Sequence, residues 1–135
     1  MRIAGMNVLA VLAAAIAIYA VGFVIFGMLM DPEVWMASSG FTKEQADAIG
    51  ASRMPYGVVM PLVTAIGMGV LFKWANVSGW VNGVKWGALV AGLSALPAIW
   101  YGWVYGVGDC YAPMLDSAHL LIGHSIAGAI LARWK

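Results

Sequence analysis

Charge is what this chain has least of. Only 10% of its 135 residues are Asp, Glu, Lys or Arg, against 63% hydrophobic. So few charges cannot cover an apolar core with a water-facing surface, which excludes a soluble globular domain and directs the chain to the lipid bilayer. A net charge of +1 gives no basic field for nucleic acid, so none is expected as a partner. Cysteine is nearly absent too: Cys110 is alone, which excludes an intramolecular disulfide and any Cys-x-x-Cys redox pair. There is no nucleophile elbow, no phosphate-binding glycine loop and no acidic metal cluster. An enzyme would have to work with Asp116 and a histidine alone.

What is present is a set of four apolar stretches, Ile3 to Met30, Met54 to Phe72, Lys85 to Trp103 and Pro113 to Arg133. Each approaches the roughly 20 residues that cross a bilayer at 1.5 Å per residue. The expectation is an all-α integral membrane protein: one domain over residues 1–135, built as a four-helix transmembrane bundle. Arg2 ahead of an Ala-rich run imitates a secretory signal, but the run continues to Met30 and is read as a retained span. Arg2, Lys73, Lys85, Arg133 and Lys135 fall on one side of such a bundle, and only Lys43 and Arg53 on the other. The positive-inside rule then puts both termini in the cytoplasm. Tryptophans and tyrosines, among them Trp74, Trp86, Trp100 and Tyr105, fall near the expected bilayer edges as belt residues. On this topology Asn76-Val77-Ser78, though a glycosylation sequon, faces the cytoplasm.

The outer loop 31–53 carries helix signals. Asp31-Pro32-Glu33 supplies an N-cap, a first-turn proline and an acidic first turn, and Thr42 to Gln45 reads as a capping box with Phe41 placed to staple onto Ala46. Short interfacial helices follow, as a lid, a docking surface or a plain connector. Pro61 and Pro97 each remove a backbone donor inside a span and predict kinks. Small residues recur at helical spacing, Gly83-x-x-x-Gly87-x-x-x-Ala91 in the third span and Gly123-x-x-x-Ala127 with Gly128-x-x-x-Ala132 in the fourth. These faces bury against helices, of this chain or another.

The fourth span carries Asp116, His119 and His124, whereas the first three, past the boundary residue Lys85, have no Asp, Glu, His, Lys or Arg. A charged group at mid-helix costs roughly 2.5 to 3.5 kcal/mol on insertion scales, so these side chains need partners or water. Asp116 and His119 lie about 60° apart on the helix and His124 about 80° to the other side of Asp116, with Ser117 on the same broad face. Two readings follow: a descending proton or ligand site of Asp116, Ser117, His119 and His124, or neutral histidines satisfied by a carbonyl, Ser94 or Thr64. Arg53, at the start of the second span, is an expected ion-pair partner for Asp116. No metal site is expected, because the two histidines diverge by about 140° and cannot share an ion. A haem pair would need a second chain, and Met28, Met30, Met36, Met54, Met114 and Cys110 lack the tight spacing of a soft-metal site. No cofactor is expected; a bound lipid fits the composition.

Gly22-x-x-x-Phe26-Gly27, Trp35-Met36, Gly40, Thr42-x-Glu44 and the helix from Asp116 through Gly128-Ala129-Ile130-Leu131 to Trp134 resemble the small bacterial four-helix membrane proteins grouped as domain of unknown function 1761. Members of that family carry an aromatic pair where this chain has Val24-Ile25 and an aromatic where His119 stands, whereas Asp116 matches the pattern. The resemblance implies the fold and a bacterial inner membrane, and brings no activity. A small multidrug transporter is excluded by the lack of a glutamate in the first span. The expected role is a non-catalytic accessory or scaffolding subunit of a larger membrane assembly, self-associating or bound to other subunits. The alternatives are an oligomeric proton-coupled or small-solute path along the fourth span and, last, a membrane enzyme.

Overall fold

The computed structural model describes residues 2, 3, 5–53 and 55–134; Met54 and Lys135, which figured in the expectations above, lie outside them. The first span does not start at Ile3. Arg2–Ile3 (β1) and Met6–Asn7 (β2) form a small antiparallel hairpin, with Arg2 opposite Asn7, turning at Gly5 with φ +80°. That left-handed backbone suits glycine and interrupts a helix. Helix α1 therefore begins at Val8, where the Asn7 side chain accepts from the Leu9 amide at 3.0 Å, and runs to Val24. A π turn at Ile25–Leu29 completes the span.

The loop between the first two spans forms two helices, α2 (Pro32–Ser39) and α3 (Lys43–Arg53). Asp31 caps α2 by accepting from the Glu33 and Val34 amides, and Gly40 closes it in a left-handed turn at φ +72°. The α3 capping box is closed in both directions, Thr42 N–H to Gln45 Oε1 at 3.0 Å and Gln45 N–H to Thr42 Oγ1 at 3.2 Å. Phe41 meets the Trp35 ring, at a centroid distance of 6.0 Å, and so ties the two helices together.

Helix α4 (Tyr56–Trp74) passes through Pro61 without a break. The third span starts at Trp80, after Gly79, and comprises α5 (Trp80–Val90), a π turn at Ala91–Ala95 and α6 (Leu96–Val104). The Leu96 amide reaches back five residues to the Ala91 carbonyl, and Pro97 follows at once. A widened turn here accommodates a residue that has no N–H and whose ring crowds the preceding turn. Helix α7 (Tyr111–Arg133) is the fourth span.

Among the described residues four helical segments are thus long and apolar enough to cross a membrane: Val8–Leu29, Tyr56–Trp74, Trp80–Val104 and Tyr111–Arg133. Their outward faces are apolar, with Leu9, Ile16 and Phe23 exposed on α1, Val59 and Val63 on α4, and Leu121, Ile122 and Ile126 on α7. The interior is narrow and built mostly from small residues; Ala14, Ala65, Ala91 and Ala127 are fully buried. Small side chains let backbones approach, the main source of helix affinity where the surroundings are as apolar as the interface.

Candidate functional site

Helix α7 runs against α1, α4 and α5; of its polar side chains His124 is buried and Asp116, Ser117 and His119 are half-buried. The small-residue stripes meet within one chain. A Cβ on Gly83 would strike the Gly128 carbonyl oxygen, one on Gly128 would strike that of Gly83, and one on Gly87 would strike that of His124. Gly123 turns the other way, where a Cβ would lie 3.5 Å from Ile18 Cα on α1. Ala127, 0% exposed, sits between these contacts.

His119 leans on α1. Its Nε2 lies 3.1 Å from the Ile18 carbonyl oxygen, and its ring meets the Phe26 ring edge-on with centroids 5.7 Å apart. Gly22 makes this seat, since a Cβ there would stand 2.9 Å from Nε2. The bond makes Nε2 the donor, because a carbonyl only accepts. Two residues nearer the α7 N-terminus, Ser117 accepts from the Trp100 indole at 3.0 Å and donates to the Pro113 carbonyl at 2.7 Å. Asp116 is half-buried, and among the described residues no ion pair joins it to the expected Arg53.

His124 is buried, 5% exposed, at the level where Gly87 abuts its backbone. Its Nδ1 makes no hydrogen bond; the Leu120 carbonyl one turn earlier faces it without acceptable bonding geometry. Neither expected hydroxyl serves it: Ser94 Oγ donates instead to the Val90 carbonyl of its own helix at 2.6 Å, and Thr64 makes no bond to it. The two histidines therefore divide. His119 is bonded to α1, whereas His124 lies at the α5 seam. Among the described residues no group of three His, Cys, Asp or Glu is placed to hold a metal ion.

A second polar knot joins the C-terminal end of α2 to the N-terminal end of α7, and nothing in the sequence pointed to it. Ser38, buried at the end of α2, donates to Asp109 and accepts from the Ala112 amide at 3.1 Å. Asp109 also accepts from the Tyr111 amide at 2.8 Å, capping α7. The Ser38 hydroxyl first, and the Tyr111 amide second, hold the Asp109 carboxyl below its ordinary pKa. Gly108, at φ +120°, lets the loop pass the Ser38 carbonyl oxygen, which a Cβ would strike. Ser38 and Asp109 are 71 residues apart, so no local pattern announces the pair. For His119 the missing signal was Gly22, whose role shows only once α1 and α7 are side by side.

Neither a curated protein nor a solved structure matches this sequence. Residues 9–132, nearly the whole chain and all four spans, match the family model described as "Protein of unknown function (DUF1761)", and the chain belongs to that family.

Proposed function

We propose that the protein is a non-catalytic accessory or scaffolding subunit of a larger membrane assembly, set in the bacterial cytoplasmic membrane with both termini in the cytoplasm. The observation that carries this reading is that two polar groups of α7 are spent inside the bundle, His119 on the Ile18 carbonyl and Ser117 between Trp100 and Pro113. A solute path would keep such groups for its cargo. The outer arm fits the same role: α2 is bolted to α7 through Ser38, while α3 packs only sparsely on the rest and offers Lys43, Glu44 and Asp47 outward. Orientation follows from Arg2, Lys73, Lys85, Arg133 and Lys135 against Lys43 and Arg53. The test is solubilisation from native membranes in a mild detergent followed by native mass spectrometry. Co-purifying subunits or a defined oligomer are expected, and a stable lone monomer refutes the proposal.

One observation favours the alternative of a proton-coupled or small-solute path. His124 Nδ1 is buried without a hydrogen bond, which is costly unless the group is used. On that reading His124→Ala abolishes a pH-dependent flux in proteoliposomes; flux that survives the substitution, or none from the unaltered protein, eliminates it.

A further inference from the structure

The end of the bundle opposite Asp116 holds a cavity of about 310 Å³ between the N-terminal hairpin, α1, α4 and α7. Its rim is polar and basic, with Arg2, Asn7, Lys73 and Asn76, and its walls include Phe72 and Leu131. The Lys73 ammonium is laid over the hairpin turn, against Gly5, where a Cβ would displace it. All six acidic side chains, Asp31, Glu33, Glu44, Asp47, Asp109 and Asp116, lie in the sequence between the first two spans or from Asp109 to Asp116, away from the residues that line this cavity. The positive end of α1 opens here as well, with its cap Asn7 in the cavity lining. Helices α4 and α7 also end at this level, and their negative ends are met by Lys73 and Arg133 in their last turns. Among the described residues Arg2 and the amide end of α1 bring positive charge to this rim.

We propose that this cavity binds a phosphate group, with Arg2 and Lys73 as its cationic contacts, Asn7 and Asn76 as polar neighbours, and the Phe72 and Leu131 walls taking the apolar part of a phosphate-bearing amphiphile. A basic pocket between helices at headgroup level has the two halves that an anionic lipid presents, a charged head and an apolar shoulder. This goes beyond the subunit reading and stands or falls without it.

The test uses the full chain in detergent, with dioleoyl phosphatidylglycerol or dioleoyl phosphatidylcholine added and retention read by native mass spectrometry. Phosphatidylglycerol retention about tenfold above that of phosphatidylcholine is expected. The preference should collapse in Arg2→Gln/Lys73→Gln and persist in Lys85→Gln/Arg133→Gln, which removes two bases from the same end but neither Arg2 nor Lys73. Displacement of the lipid by millimolar inorganic phosphate would identify a soluble phosphate as the occupant, and persistence would identify the lipid headgroup; both support the phosphate site. Equal retention of the two lipids by the unaltered protein, or equal loss in the two double variants, overturns it. Should the first double variant fold poorly, Arg2→Gln alone is read in the same way, with a partial loss expected and full retention refuting.

Discussion

Replacing Gly87 by alanine adds one methyl group, and the structure says where it goes. The new carbon would run into the His124 carbonyl oxygen and lie 2.8 Å from its carbon and 3.0 Å from Ser125 Cα, where ordinary contact starts at 3.4 Å. All three are backbone atoms of α7, so no rotamer change relieves them. Helices α5 and α7 must part by at least the shortfall from 3.4 to 2.8 Å. A radial gap of 0.5 to 1 Å forfeits about a quarter to a half of each dispersion contact across the seam. In lipid, no hydrophobic gain offsets that loss. Overpacking adds about 1 to 3 kcal/mol, and the better helix propensity of alanine returns up to about 1 kcal/mol. The expected net destabilisation of Gly87→Ala is about 1 to 2 kcal/mol. Gly67→Ala is the control, since a Cβ there meets nothing within 4 Å, and it should stabilise by about 0.5 to 1 kcal/mol. Gly83→Ala and Gly128→Ala strike each other's carbonyls, so their double variant should lose less than the sum of the two. The assay is SDS titration of the micellar protein followed by circular dichroism. Wild-type stability for Gly87→Ala, or equal damage from Gly67→Ala, would refute the close α5–α7 contact.

Asp109 should make the knot between α2 and α7 acid-sensitive. Its folded pKa is depressed, so its contribution is complete above the ordinary carboxylate pKa and fades as pH falls through the lower folded value, below about pH 4. Amide hydrogen exchange in α2 should accelerate there, and Asp109→Asn should show the low-pH pattern at every pH; a pH-independent wild type would contradict this. His119→Ala removes the bond to the Ile18 carbonyl and should cost about 1 kcal/mol or somewhat more. Gly22→Ala unseats the same ring, so combining the two should add little, and a fully additive double variant in the same SDS titration would count against the seat. His124→Leu discards an unpaired buried nitrogen, so stability should stay within about 1 kcal/mol of wild type or rise. A loss above about 3 kcal/mol would mean that the imidazole is bonded in the membrane.

Sequence by itself determined the four spans, the caps of α2 and α3, and the small-residue stripes of α5 and α7. Each follows from chemistry within a few neighbouring residues: apolar length, a side chain bonding an amide two or three positions on, glycine recurring every fourth residue. It also marked Asp116, His119 and His124 as the groups that need partners. Only the tertiary structure decided what those partners are. That Gly83 and Gly87 meet Gly128 and His124 of the same chain, that His119 rests on Ile18 across 101 residues, that Ser38 reaches Asp109, and that Arg2 and Lys73 border one cavity are all matters of which helix faces which. A helix that is apolar all round has no amphipathic stripe to declare its inner side. In lipid the choice of face falls to backbone fit and to a few long-range polar bonds, which no local pattern encodes.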